Sequence, residues 1–257
     1  MRTLENNIRI LQFTMNKPDM YGVFHIMSLI SVILLSIILI KHAKNKKKTI
    51  FIMSSIMLMF EVYKQLSFSY NDFSWSYSWY AFPYQFCSTP MYVGFLYSLI
   101  KNKKVSEYLE CFLMTYALSA GVCVMLYPST VFVREAMINI QTMIHHGFMV
   151  VMGLYLLFKE NNIKHIYNKA FTVFFLLSSI AIISNIITYY VGIDNGLELF
   201  YISPFHNSTL PIFSIIDEHA PYIVFIISYY LIFSIGSMLP IGIKRLFQKF
   251  DNNLKEC

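Results

Sequence analysis

Long apolar runs alternate along this chain with short polar segments, and many of the polar segments are rich in lysine. An α-helix rises 1.5 Å per residue, so about 20 apolar residues are needed to cross the hydrocarbon core of a bilayer. The predicted spans have the approximate limits 20–40, 50–70, 84–100, 105–127, 138–158, 170–191 and 222–243. No repeat or interdomain linker separates them. The pattern predicts an all-α membrane protein, a seven-transmembrane-helix bundle that forms a single polytopic domain over residues 1–257.

The basic residues predict how this bundle is oriented. Fifteen of the 20 lysines and arginines fall in alternate connecting segments, at residues 41–48, 101–104, 159–169 and 244–255. Cytoplasmic loops of polytopic proteins carry such an excess of basic residues. The distribution predicts that the N-terminus is outside and the C-terminus inside, and the polar first 19 residues do not resemble a cleaved signal peptide.

Composition supports the membrane assignment and removes several other classes. The chain is 56% hydrophobic and 13% charged, against about a quarter charged in soluble domains. Its formal charge of +6 lies in the lysine clusters between spans, so membrane lipids rather than nucleic acid are the expected partners. The four cysteines form no CxxC or Cys/His spacing, which predicts no metal site, and no cofactor motif is present.

Two of these cysteines, Cys87 and Cys123, fall near predicted outer helix ends. A disulfide between them would leave Cys87 without a free thiol. The sequence leaves both possibilities open.

Polar residues within the predicted spans gather in the outer half of the bundle. Intramembrane polar and ionisable groups tend to face the bundle interior or a wet cavity, where they mark functional sites. The candidates come from four spans: Glu61 and Lys64, Gln85 and Cys87, His145 and His146, and Asn185. Glu61 and Lys64 are three residues apart and therefore share a helix face, which fits either a functional site or a mutually neutralised structural pair.

The segment before the third span is strongly aromatic, from Trp75 to Phe86. Tryptophan and tyrosine are enriched where a membrane meets water. These residues are therefore either interfacial anchors or the wall of a substrate site.

Several short motifs resemble the YwaF-like family of bacterial integral membrane proteins. Pro83 to Cys87 resembles its Pro-x-His-x-Cys signature, with Gln85 at the histidine position, and His146-Gly147 resembles a helical His-Gly pair. Gly192 to Asn195 resembles a Gly-x-x-Asn turn, and Ala220 to Tyr222 resembles the family's entry into the last helix. The resemblance covers the chain from Phe82 onward and implies a multi-pass protein of the bacterial cytoplasmic membrane.

That family is distantly similar to the animal transmembrane ether-phospholipid acyltransferase and to the androgen-induced hydrolases of lipid esters. The resemblance implies a thiol-dependent acyltransferase or lipid-ester hydrolase that acts in the outer leaflet half of the bundle. Cys87 would be the nucleophile and His146 the base, with His145 and Lys64 as further neighbours of the thiol. The amides of Gln85 and Asn195 would donate hydrogen bonds to an acyl oxyanion.

A second class of function needs no covalent chemistry. The same polar groups would suit a small-solute transporter or a sensor with a polar vestibule, through Glu61, Lys64, Gln85, His146 and Asn185. No inverted repeat supports a transporter. An acyl group on Cys87 would separate the enzyme from the transporter.

Overall fold

The structure is a computed structural model that describes residues 13–71, 74–160, 165–193 and 197–256, with side chains to residue 246. Helices dominate these ranges. The long ones are α1 (Val23–His42), α2 (Lys46–Ser69), α4 (Lys103–Leu126), α5 (Ala136–Lys159), α6 (Ile166–Val191) and α8 (Tyr222–Glu256). The short ones are α3 (Thr89–Leu99) and α7 (Phe213–His219), and a two-residue hairpin pairs β1 (Tyr70–Asn71) with β2 (Ser74–Trp75).

Among the described residues, six helices are long and apolar enough to cross a membrane. They match six of the seven predicted spans to within a few residues. Large apolar side chains are exposed along α1, α6 and α8, as expected of surfaces that face lipid. The chain is therefore an all-α, multi-pass membrane protein.

The remaining predicted span, 84–100, is only partly helical. It consists of a 3₁₀ turn, Phe86–Ser88, followed by the 11-residue helix α3. Pro90 lies in the first turn of α3, and a proline lacks an N–H and clashes with the carbonyl four residues earlier. Because that carbonyl belongs to Phe86, the helix cannot extend back to Tyr84.

The chain from Ala81 to the end of this segment nevertheless runs along most of α2. Near the C-terminal end of α2, Gln65 Nε2 donates to the carbonyl of Ala81. Near its N-terminal end, the ammonium of Lys47 donates to the carbonyl of Ile100. These two positions on α2 are roughly 27 Å apart at 1.5 Å per residue.

Helix α5 lies at the centre of the bundle. It packs against α1, α2 and α4. In its apolar 18-residue stretch 78% is buried, against 11% in that of α1. Two glycines allow this approach: a Cβ at Gly153 would lie 2.6 Å from Leu118 Cβ, and one at Gly147 would lie 2.7 Å from Val32 Cγ2. The space beside Gly147 is therefore occupied by a neighbouring helix.

Helix α4 contains a π-helical turn at Leu113–Ala117. Such turns are rare and occur frequently near functional sites. Here the turn packs against α5 and α8.

Ion pairs tie the helices together at the lysine-rich end of the bundle. Lys46 bridges to Glu110 at 2.5 Å, and Lys169 to Glu107 at 2.7 Å. The buried Lys244 donates to the carbonyl of Leu157 at 2.6 Å, near the end of α5. We call this the basic end.

Candidate functional site

Cys87 lies in the 3₁₀ turn before α3, away from the basic end, and is half-buried against the apolar core. Among the described residues its thiol is free, as are those of Cys111 and Cys123. The disulfide that the sequence left open between Cys87 and Cys123 is not formed.

His145 on α5 contacts the Cys87 turn directly. Its Nε2 lies 2.8 Å from the backbone carbonyl oxygen of Cys87. A carbonyl only accepts hydrogen bonds, so Nε2 carries the proton, and in the neutral ring Nδ1 keeps its lone pair. Nδ1 is buried and has no hydrogen-bond partner among the described residues. The His145 ring therefore binds the cysteine-bearing turn through Nε2 and keeps an unpartnered lone pair on Nδ1.

His146 follows on the next face of α5. Its Nδ1 donates to the carbonyl of Thr142 at 2.8 Å, and its ring lies 5.5 Å from that of His145 in an edge-to-face arrangement. Both rings are buried. The hydrogen bond to the Cys87 turn comes from His145, whereas the preference for His146 came from its following glycine and stays a prediction.

A buried ion pair on α2 belongs to the same site. Lys64 Nζ lies 2.8 Å from Glu61 Oε1, and Gln65 Nε2 donates to that same oxygen at 2.7 Å. The Lys64 ammonium interacts electrostatically with Cys87, His145 and His146. The predicted pair is therefore part of the thiol's surroundings.

The sequence analysis did not select Gln65, although it lies four residues after Glu61. Its Oε1 accepts a hydrogen bond from Tyr77 at 2.9 Å. Residues four apart share a helix face, and this spacing was the signal that could have found it.

Gln85 and Asn185 bind backbone rather than an open cavity. Gln85 Nε2 donates to the carbonyl of Glu198 at 2.8 Å, and its Oε1 accepts from the amide of Phe200 at 3.1 Å. Asn185 bonds both the amide and the carbonyl of Leu199, at 2.9 and 3.0 Å. Both side-chain amides thus hold a single turn.

That turn, Leu199–Tyr201, is part of an irregular segment that enters the bundle, residues 197–202, which we call the inserted loop. Phe200 has a φ of 59° and is fully buried. Its ring packs against Tyr84 and Phe86, with centroids 5.7 and 5.5 Å away. Irregular backbone is tolerated at membrane depth where it is buried in protein, and the two amides supply its hydrogen bonds.

The aromatic segment before α3 is divided between two roles. Trp75, Tyr77 and Tyr80 are exposed, as interfacial anchors would be. Trp79, Phe82, Tyr84 and Phe86 pack against the core.

Glu198, at the start of the inserted loop, was not among the predicted site residues. Burial, reinforced by the charge of Asp217, raises the pKa of this carboxyl to about 7. Its neighbour Tyr201, whose pKa burial raises to about 12, interacts electrostatically with both Glu198 and Cys87. The Glu198 backbone is bound by Gln85, two residues before Cys87, and its position in a long loop gave no sequence signal for this.

Asn195, the other predicted amide donor, lies outside the described residues. No cluster of histidine, cysteine and acidic side chains with the arrangement of a metal site is present in the described part of the chain. The chemistry available is that of a thiol, two imidazoles, an ion pair and a nearby carboxyl.

The described residues form a helical bundle with polar side chains buried near one end. By its fold, the protein is a multi-pass integral membrane protein. A sequence model of the TMEM164 family matches residues 20–239, and the chain belongs to that family. Membership of the YwaF-like bacterial family, which the short motifs suggested, stays a prediction.

No curated protein matches the chain, and no solved structure matches it.

Proposed function

We propose that this protein is a membrane-embedded, thiol-dependent acyltransferase or lipid-ester hydrolase with Cys87 as its nucleophile. The observation that carries the proposal is the hydrogen bond from His145 Nε2 to the backbone of Cys87. It holds the His145 imidazole, whose Nδ1 has no hydrogen-bond partner among the described residues, against the turn that carries a reduced thiol. A cysteine becomes strongly nucleophilic when a neighbouring base or positive charge favours its thiolate.

In the proposed reaction, the thiol gives its proton to an imidazole, and its sulfur attacks the carbonyl carbon of a lipid ester. The C–O ester bond breaks, the alcohol leaves with the imidazolium proton, and a thioester remains on Cys87. His145 is the base that the geometry favours, and His146 is the alternative that the sequence motif favours. The Glu61–Lys64 ion pair lies near the thiol in either case.

Gln85 does not serve as an oxyanion donor in this proposal. Its amide N–H already donates to Glu198, and its oxygen accepts from Phe200. Its role is to hold the inserted loop against the Cys87 turn.

The decisive experiment is detection of an acyl group on Cys87. Purified protein is incubated with p-nitrophenyl octanoate, an activated ester, and the cysteine-containing peptide is analysed by mass spectrometry before and after hydroxylamine. We expect an octanoyl thioester on Cys87 that hydroxylamine removes and that is absent from Cys87→Ser. A wild-type protein that is never acylated would favour the non-covalent transporter or sensor.

The two histidines provide a matched pair of variants. Loss of a general base typically slows a reaction by 10²- to 10⁴-fold. We expect His145→Gln to slow acylation by about 10²-fold or more, and His146→Gln to retain most of it. The opposite result would assign the base to His146, and equal losses would indicate a structural pair.

We further propose that the segment 84–100 crosses the membrane as a seventh span, with the basic end in the cytoplasm. Support comes from the lysine-rich loops and from contacts with α2. Ile100, the last residue of the segment, bonds Lys47, and Ala81, three residues before the segment, bonds Gln65 near the other end of α2. With seven crossings the Cys87 site faces the outer leaflet. In a bacterial cell this would place it in the outer half of the cytoplasmic membrane.

A further inference from the structure

The two carboxylate oxygens of Glu61 have unequal surroundings. Oε1 contacts Lys64 and Gln65, at 2.8 and 2.7 Å. Oε2 is buried and has no hydrogen-bond partner among the described residues. A buried polar atom without a partner costs about 1–3 kcal/mol, and more for a charged group. Such an oxygen is a vacant acceptor for an O–H or N–H group.

The residues around Glu61 fix this acceptor in place. Only 4% of Glu61 is exposed, and the chain of hydrogen bonds from Tyr77 through Gln65 reaches its other oxygen. One carboxylate oxygen is held by two hydrogen-bonding side chains, and the other has no partner among the described residues. A rigid group of this kind suits the binding of a small polar ligand better than a mobile surface pair does.

A second vacant acceptor lies in the same site. His145 Nδ1 is also buried and unpartnered among the described residues, and only 3% of His145 is exposed. Lys64 interacts electrostatically with this ring and with Cys87, and Glu61 interacts with Cys87 too. The ion pair therefore lies near the thiol, and the His145 ring is bound to the turn that carries it.

A hydroxyl group matches this arrangement. Its one hydrogen can be donated to Glu61 Oε2, and its oxygen can accept from the Lys64 ammonium, which carries three N–H donors. A carboxylate or phosphate would be repelled by Glu61, and an ammonium by Lys64. The neutral O–H group is the chemistry that both members of the pair accept.

We propose that Glu61 and Lys64 bind the hydroxyl of an acceptor alcohol, a lipid with a free OH group, and direct it to the acyl group on Cys87. The inference rests on the proposed function. The hydroxyl oxygen forms the new ester bond, and the C–S bond to Cys87 breaks. The hydroxyl proton passes to Glu61 Oε2, which accepts its hydrogen bond, and from there to the departing sulfur, which restores the thiol. Glu61 and Lys64 thereby hold the acceptor alcohol in position for the attack.

The test separates acylation of Cys87 from the fate of the acyl group. p-Nitrophenyl octanoate donates the acyl group, and the initial burst of p-nitrophenol reports acylation. Lysophosphatidylcholine supplies the alcohol. The ratio of octanoyl ester to free octanoate reports how much of the acyl group is transferred to the alcohol rather than to water. For Glu61→Gln we expect a retained burst and an ester-to-acid ratio about ten-fold lower, since a polar group built to bind an OH is lost.

Two further variants complete the design. Glu61→Gln leaves the partly buried Lys64 charge without its partner, which is destabilising. The neutral double variant Glu61→Gln/Lys64→Met is therefore measured too, and we expect the same ester-to-acid ratio as for Glu61→Gln. Glu107→Gln breaks the similar ion pair with Lys169 at the basic end, and we expect its ratio to equal that of the wild type.

Other results would overturn the inference. An unchanged ester-to-acid ratio in Glu61→Gln would show that the pair does not bind the alcohol. Loss of the burst in both the single and the double variant would assign the pair to acylation or to folding. A wild-type protein without any burst would refute the proposed function itself, a result distinct from either of these.

Discussion

At the residue scale, burial raises the pKa of the Glu198 carboxyl. Its pKa rises from the usual 4.5 to about 7, mainly because burial disfavours the charged form and secondarily because Asp217 is close. The folded protein then holds this proton over a pH range in which the unfolded chain has lost it. The stability that the protonated carboxyl provides is present below about pH 4.5 and is lost as the pH rises to about 7.

We therefore predict that the melting temperature in detergent falls between pH 5 and pH 7 and that the Glu198 contribution levels off above about pH 8. Glu198→Gln should remove this part of the decline and should be the more stable protein at pH 8. Glu218→Gln, at an exposed glutamate that follows Asp217 in the sequence, serves as the control and should keep the decline. An identical pH profile for wild type and Glu198→Gln would contradict the prediction.

The histidines show a second residue-scale effect. Two adjacent imidazoles are indistinguishable by hydropathy, and a following glycine favoured His146. Side-chain directions differ by about 100° between neighbouring helix residues, so only the packing of α5 decides which ring meets another segment. In this structure His145 meets the Cys87 turn.

At the element scale, the inserted loop depends on its amide clamps. Asn185 bonds the amide and the carbonyl of Leu199, which are both buried. Two further hydroxyls bind the loop: Tyr229 donates to the carbonyl of Phe200 at 3.2 Å, and Tyr222 to that of Ile202 at 2.9 Å. These hydrogen bonds hold the inserted loop in place within the bundle.

We predict that Asn185→Leu destabilises the protein by about 2–6 kcal/mol, because two buried backbone groups lose their partners at about 1–3 kcal/mol each. Thermal unfolding in detergent measures the change. Thr188→Ala is the control, since Thr188 bonds only carbonyls of its own helix, and we expect a much smaller effect. Equal melting temperatures for Asn185→Leu and wild type would show that the clamp does not support the fold.

At the scale of the whole molecule, the lysine distribution and the course of the segment 84–100 together predict the topology. We expect an impermeant thiol reagent applied to whole cells to label Ser76→Cys and to leave Asn45→Cys unlabelled. Both are made in a background in which Cys87, Cys111, Cys123 and Cys257 are replaced. Permeabilised cells, in which both positions should react, provide the control.

The opposite labelling would reverse the orientation of the bundle. Labelling of both positions in intact cells would mean that α2 does not separate the two sides. Either outcome would require a different location for the Cys87 site with respect to the two leaflets.

Hydropathy was enough to predict the helical membrane architecture and the approximate positions of six long helices, because an apolar run of bilayer length has few alternatives to a helix. It also selected Glu61, Lys64, Cys87 and the histidine pair, since polar groups are costly within a span and stand out against it. These signals can be read from the local sequence without knowing how the helices pack.

The tertiary structure alone decided what each of these groups contacts. Pro90 shortened the third span to an 11-residue helix, and the cysteine came to lie in a turn rather than within a long helix. Gln85 and Asn185 bind an inserted loop whose entry into the bundle depends on contacts between residues more than 100 positions apart. Hydropathy records how apolar a residue is and carries no information on which distant backbone group it meets, so only the folded bundle could decide which polar groups are occupied and which, like Glu61 Oε2, are left open.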